Sequence, residues 1–325
     1  MSHKKVFVTR SKFSETGIKK LQEKFQVHFY PESHVCPQEY LLEHVKGVHA
    51  IFCIPPDNIN KDVLDAAGSQ LQIVATMSLG FDHIDVEECK KRHITVCNAA
   101  NLLSASCVAE FAIGLLLSVS RKIVQSFDAV RRGDWVEGFP PDSCIGRGLV
   151  NATVGIVGMG RIGQAVFNRL LPFEVSKVFY YDVAEPVRKV EEKGAMRKKF
   201  EDLLQNSDYI IVTCNLTEEN KGMFNKKAFS LMKQSAVFIN VSRGGLVEQR
   251  DLIEALQNNQ IKAVGIDVMY PEPLPKDHEL LKLPNIVVTP HTAGVEETSL
   301  EEYSSLAAEN IINVLEDQSP LTPVS

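Results

Sequence analysis

Three polar residues in the second half of the chain, Arg243, Glu272 and His291, each stand just past an apolar, strand-like run. A guanidinium, a carboxylate and an imidazole suit one kind of chemistry. The planar fork of Arg243 pairs with a substrate carboxylate and polarises the adjacent carbonyl, which a Lys ammonium cannot reproduce. His291 supplies a proton while a ketone is reduced, or removes one in the oxidative direction, because imidazole titrates near neutral pH. Glu272, set between Pro271 and Pro273, is suited to hold the other ring nitrogen and to stabilise the protonated ring. Singly, each has a plainer reading: a surface charge, a loop carboxylate, a satisfied imidazole. Placed together at three strand ends, they predict hydride transfer between a nicotinamide and a 2-oxo or 2-hydroxy acid.

The dinucleotide such chemistry needs has a matching turn in Gly158-Met159-Gly160-Arg161-Ile162-Gly163. An apolar run over residues 153–157 precedes it and a helical pattern over 164–171 follows, the context that gives the glycine spacing meaning. Gly158 permits the tight turn, Gly160 the approach of backbone to phosphate, and Gly163 close packing of helix on strand. The diphosphate belongs on the helix N-terminus, where N–H groups and the dipole favour an anion. Asp182, about 20 residues further on, suits the adenosine ribose hydroxyls and repels a 2′-phosphate, so NAD(H) is favoured over NADP(H). Asp267, at another strand end, has two equal readings: an acceptor for the nicotinamide carboxamide, or a turn residue. In the first part of the chain, the stretch from Ser78 to Asp82 follows a strand and offers backbone N–H groups to a carboxylate.

Positioning these groups takes two α/β units. Residues 6–9, 50–54, 73–77 and 95–97 read as strands, separated by helical patterns over 14–25, 39–45, 61–67 and 86–91. A longer helix covers 103–120, and 132–150, rich in Gly and Pro, reads as a loop. Strands recur at 153–157, 178–181, 209–212, 237–240, 263–268 and 286–289, six in all, as in a doubly wound dinucleotide fold. In the usual strand order Asp182 lies in the adenosine half. Arg243, Glu272 and His291 then follow the fourth, fifth and sixth strands in the nicotinamide half. Residues 296–315 have helical spacing and are expected to return to the first domain. The expected division is 1–103 plus 290–325 for a discontinuous substrate domain, and 104–289 for the NAD(P)-binding domain.

Composition narrows the classes. A chain of 325 residues is long for one core, so two domains are expected. With 44% hydrophobic residues and a net charge of -6, it lacks the basic balance of a nucleic-acid binder, and Met196-Arg197-Lys198-Lys199 reads as a solvated face. The cysteines at 36, 53, 89, 97, 107, 144 and 214 form no C-x-x-C pair, and their odd, scattered count fits a reducing compartment. The first residues lack the apolar core of a secretory signal, and the longest apolar stretch, 111–119, is shorter than the roughly 20 residues a bilayer needs. A cytoplasmic protein without nucleic-acid or membrane partners is expected.

Nearly the whole chain resembles the D-isomer-specific 2-hydroxyacid dehydrogenases, and most of all their glyoxylate reductase/hydroxypyruvate reductase branch. The motifs are Leu79-Gly80-Phe81-Asp82-His83-Ile84-Asp85, Ala109-Glu110, the run from Thr153 through Gly163, Phe238 through Gly245, Asp267 with Pro271-Glu272-Pro273-Leu274-Pro275, and Thr289-Pro290-His291. The resemblance implies two Rossmann-like parallel-sheet domains, one of them flavodoxin-like. It implies that Arg243 binds substrate, Glu272 orients His291, and His291 is the acid/base. It further implies substrate-carboxylate contacts from the backbone of Leu79 and Gly80, cofactor contacts from Arg161, Ile162, Cys214, Val241, Asp267 and Gly294, and a homodimer formed largely through the cofactor domains. Two positions depart from the animal members of that branch, which usually favour NADPH and lack an acidic residue where Asp182 stands. Those relatives also carry several tryptophans in the loop where Trp135 is this chain's only one. A 2-ketogluconate-type reductase is the alternative enzyme; a dinucleotide-sensing, corepressor-like protein is the alternative of another class.

Overall fold

The computed structural model of the chain describes residues 3–10, 15–55, 57–100, 102–136, 138 and 141–324, and it divides into two compact units, 1–104 with 295–325, and 105–294. In the first unit, strands β1 (Lys5–Val8), β2 (Gln26–Phe29), β3 (Ala50–Cys53), β4 (Ile73–Thr76) and β5 (Thr95–Cys97) alternate with helices α1 (Glu15–Lys24), α2 (Gln38–His44), α3 (Lys61–Ala67) and α4 (Val86–Lys91). The sheet is parallel in the order β2-β1-β3-β4-β5, the flavodoxin-like arrangement. β3 and β4 are buried along their whole length, which is why each is a continuous apolar run without alternation. Helix starts are set by side chains: Asn60 accepts from the N–H of Val63 at 3.2 Å, and Asp85 from that of Glu88 at 2.9 Å. β2 is an addition to the four expected strands. It sits at the sheet edge, half-exposed, and its Gln-Val-His-Phe runs straight on from the helical pattern of α1.

The second unit holds most of α5 (Leu102–Ser120), then α6 (Ile123–Arg132), β6 (Thr153–Val157), α7 (Arg161–Leu170), β7 (Lys177–Tyr181), α8 (Arg188–Glu191), β8 (Ala195–Arg197), α9 (Phe200–Asn206), β9 (Tyr209–Val212), α10 (Lys226–Leu231), β10 (Val237–Asn240), α11 (Gln249–Gln257), β11 (Ala263–Ile266) and β12 (Ile286–Val288). Its seven parallel strands run β12-β11-β10-β9-β6-β7-β8. The order reverses between β6 and β9, where ligands of such sheets bind. The expected six strands are seven, because Ala195–Arg197 pairs with β7 at the edge. Two of its three side chains are exposed, which in the sequence reads as a solvated face. Arg243, Glu272 and His291 therefore follow the fifth, sixth and seventh strands of the sheet.

α5 is apolar enough by length and composition to cross a bilayer, with a mean hydropathy of 1.8 over Leu103–Ser120, and 61% of that window is buried inside the protein. It lies on the sheet at Gly265, where a Cβ would stand 2.9 Å from Leu115 and Val119 side-chain atoms. In the core of this unit, Phe200, Phe224, Phe238 and Phe229 form a chain of ring contacts with centroids 4.9 to 5.8 Å apart. The chain's last helix, α12 (Glu297–Leu315), belongs to the first unit. It meets α1 so closely that a Cβ on Gly17 would stand 2.1 Å from the Ser304 carbonyl oxygen.

Candidate active site

The glycine turn joins β6 to α7. Gly158 has φ +96°, and a Cβ there would come within 2.6 Å of the Cys214 backbone nitrogen, so glycine is required for both conformation and space. A Cβ on Gly163 would stand 2.1 Å from the Gly158 oxygen, so the first turn of α7 lies directly on the loop. Around Gly160, by contrast, a Cβ would meet nothing within 4 Å. The first N–H groups of α7 come before its first internal bond, Gln164 N–H to Gly160 O at 3.0 Å, and are left for an anion. A dinucleotide diphosphate fits this open turn. Arg161 is exposed and Ile162 half-buried on the same helical turn.

Asp182 ends β7 with its carboxylate already engaged: Oδ2 accepts from the Met159 N–H at 2.5 Å and Oδ1 from the Ala184 N–H at 2.9 Å. It therefore braces the glycine turn as well as facing a cavity of about 470 Å³, which Tyr181, Arg197, Lys198, Lys199 and Asp202 also line. Cys214 lies against Gly158, and burial pushes its thiol up to about 11, so it stays a protonated packing group. Its carbonyl oxygen accepts from the Ser242 hydroxyl, which links the loops after β9 and β10.

The loop bearing Arg243 is shaped by Asn240, a fully buried residue at the end of β10. Asn240 Oδ1 accepts from the Ser242 N–H and its Nδ2 donates to the Arg243 carbonyl, both at 3.0 Å. Val241 is buried between them. A Cβ on Gly244 would stand 2.2 Å from the Met269 oxygen, so glycine brings this loop onto the one that carries Glu272. Arg243 is close enough for its charge to act on the Glu272 carboxyl.

Glu272 and His291 meet directly: Nδ1 lies 2.8 Å from Oε2, while Oε1 accepts from the Met269 N–H at 2.9 Å. Burial by itself would raise the Glu272 carboxyl. The hydrogen bonds from His291 and Met269, with the charges of His291 and Arg243, outweigh it and hold the group below its ordinary 4.5. An ionised carboxylate only accepts, so Nδ1 of His291 carries the proton and the neutral ring keeps its lone pair on Nε2. His291 has φ +55°, in the left-handed region, where its N–H donates to the carbonyls of Asp267 at 2.9 Å and Thr289 at 3.1 Å.

Asp267 is fully buried, and its side chain secures the same loop. Oδ1 accepts from the Thr289 hydroxyl at 2.6 Å and the Thr292 N–H at 2.9 Å, and Oδ2 accepts from the Ala293 N–H at 2.7 Å. These bonds explain why the second unit extends through Gly294 where a boundary after residue 289 was expected. Leu79 and Gly80 belong to the other unit, on the loop after β4. Asn240, Ser242, Met269 and Thr292 complete the site without being singled out by sequence. Only Asn240 left a signal, an amide closing a buried apolar strand. Among the described residues no cluster of His, Cys, Asp and Glu is able to hold a metal ion.

Residues 113–293 match the family described as D-isomer specific 2-hydroxyacid dehydrogenase, NAD binding domain. A glyoxylate reductase/hydroxypyruvate reductase of Homo sapiens is 39% identical over 312 residues, 95% of this chain and 94% of its own length. A glyoxylate reductase of Thermococcus kodakarensis is 36% identical over 99% of this chain and 96% of its own length. Among solved structures, an NADPH-dependent glyoxylate/hydroxypyruvate reductase from Sinorhizobium meliloti, in complex with NADP and malonate, superposes with a TM-score of 0.85 at 29% identity, covering 100% of this chain and 97% of that one.

Because the Glu272 carboxyl is depressed, its bond to His291 is complete above the ordinary carboxylate range and is lost only as pH falls through the lower folded value. Turnover followed against pH will show no decline centred near 4.5. Glu272→Gln, which keeps the shape and removes the charge, will lower kcat by roughly 10²-fold or more at neutral pH. Wild-type turnover in that variant would refute the orienting role.

Proposed function

The chain belongs to the D-isomer-specific 2-hydroxyacid dehydrogenase family, and from that premise we propose that it reduces glyoxylate, hydroxypyruvate or a closely related 2-oxo acid to the 2-hydroxy acid. The observation that carries the reading is the 2.8 Å contact between Glu272 and His291, within the electrostatic reach of Arg243. The names of the relatives favour neither a 2-ketogluconate reductase nor a corepressor-like sensor.

When bound, the nicotinamide cofactor supplies the hydride that adds to C2 of the substrate. The guanidinium of Arg243 pairs with the substrate carboxylate and polarises the 2-oxo group, and the N–H groups of Leu79 and Gly80 take part in holding the carboxylate. His291 gives its Nε2 proton to the 2-oxo oxygen as the C–O double bond is reduced. Glu272 keeps Nδ1 engaged throughout, so the positive charge on the ring is balanced before the proton leaves. His291 is partly exposed, with 41% of its side chain accessible, and is reprotonated from water. Gly158, Gly160, Arg161, Ile162 and Gly163 hold the diphosphate, while Cys214, Val241, Asp267 and Gly294 contact the rest of the cofactor. Among the described residues, Asp267 Oδ2 accepts one hydrogen bond, from Ala293, and keeps capacity for a carboxamide N–H.

NAD(H) is the proposed preference, supported by the carboxylate of Asp182 at the ribose end of the turn. NADP(H) is the second reading, favoured by Arg197, Lys198 and Lys199 around the same cavity and by the NADP bound in the Sinorhizobium meliloti structure. A homodimer through this unit is supported by α6, which turns Ile123, Val124, Phe127 and Val130 outward in one helical stripe with Phe127 61% exposed. The seven cysteines are free thiols, in keeping with a cytoplasmic setting.

His291→Ala will lower turnover by roughly 10²- to 10⁴-fold, with reduced-cofactor binding retained by fluorescence titration; undiminished turnover would remove the proposed acid. Parallel NADH and NADPH titrations at fixed 2-oxo acid will give the larger kcat/KM with NADH, and a strong advantage for NADPH would reverse the assignment. Sedimentation velocity will show a dimer for the native chain and monomers for Phe127→Glu; a native monomer would refute the interface.

A further inference from the structure

The loop after β4 carries a chain of hydroxyls whose direction is forced. Ser78 Oγ donates to the Gly80 carbonyl at 2.6 Å, so its oxygen is free to accept, and Thr76 Oγ1 lies 2.8 Å from it. Thr76 is fully buried at the end of β4, and its Oγ1 also lies 3.0 Å from His83 Nε2. With the Ser78 proton committed to Gly80, Thr76 donates to Ser78, and His83 donates its Nε2 proton to Thr76. The order is therefore His83 to Thr76 to Ser78 to the Gly80 carbonyl. The two preceding carbonyls are held as well: Leu79 O accepts from Asn98 Nδ2, and Ser78 O from the Ala99 N–H, both at 2.8 Å.

Three successive carbonyls are thus drawn onto the body of this unit. In a trans peptide the N–H points opposite to the C=O, so the same bonds turn the N–H groups of Leu79, Gly80 and Phe81 the other way. None of the three finds an acceptor among the described residues. Consecutive N–H groups presented together make an anion-binding concavity.

We propose that Ser78, directed by Thr76 and His83, is a positioning residue that sets the Gly80–Phe81 peptide, so that the Phe81 N–H joins those of Leu79 and Gly80 as a third donor to the substrate carboxylate. The inference rests on the reading above that this loop holds that carboxylate. His83 acts through Thr76 and touches no substrate atom. Its role is to keep a proton on Nε2, because a ring without it would let Thr76 reverse its hydroxyl and release Ser78 from its accepting role.

Kinetics of the full chain with a 2-oxo acid and with the neutral amide of the same acid separate the possibilities. In Ser78→Ala, KM for the acid will rise roughly tenfold while kcat stays within about twofold, KM for the amide will not move, and Ser78→Thr will restore the acid's KM. Equal rises for acid and amide, an unchanged KM for the acid, or failure of the Thr variant to rescue would overturn the positioning role. If the native enzyme does not distinguish acid from amide, the carboxylate reading itself fails. The thermal midpoint of Ser78→Ala is expected to match the native chain; a large drop would assign Ser78 to stability and overturn the inference.

Discussion

The buried carboxylate of Asp267 is the constraint on which the geometry of the candidate site depends. A charge in that position is tolerable only if hydrogen bonds replace the lost water, and among the described residues these come from the segment after β12: the hydroxyls of Thr289 and Thr292 and the N–H groups of Thr292 and Ala293. The Asp267 carbonyl takes the His291 N–H as well. These bonds over-determine the loop and hold His291 at a positive φ that an isolated His would rarely adopt. A few residues on, the same β11 loop supplies Glu272 and the Met269 N–H that steadies it. One strand end therefore fixes both the imidazole and its partner.

Parallel topology makes this economical. Every strand of the seven-stranded sheet delivers its carboxyl end to one edge, so groups far apart in sequence gather without long connections. What remains is close approach between loops. Gly158 admits the β9 loop, Ser242 ties that loop to the one after β10, and Gly244 admits the β11 loop. Backbone contacts this tight leave little freedom in where Arg243 and Glu272 stand, which is the kind of preorganisation a proton-coupled hydride transfer needs.

Much of this was legible in the residues. Apolar runs such as Val-Phe-Ile-Asn and Tyr-Ile-Ile-Val mark strands covered on both faces, and the glycine spacing with Asp182 marks the first βαβ turn. The two unforeseen strands share a physical cause: β2 and β8 are short edge strands with exposed side chains, so neither carries the apolar pattern that marks a buried strand. Side-chain direction was equally hidden. That Asp182 would be engaged by the glycine turn, that Asn240 would shape the Arg243 loop, and that Thr76, Ser78 and His83 would form a directed chain all depend on three-dimensional neighbours.

The proton on His291 is the point at which structure and chemistry meet, and nitrogen-resolved NMR of that ring in the native chain reads it directly. With Glu272 ionised, the neutral ring should carry its proton on Nδ1 and present a bare Nε2 lone pair, both signals moving together as the ring gains a second proton. A neutral ring protonated on Nε2, with Nδ1 unprotonated beside Glu272, would contradict the arrangement from which the mechanism is built.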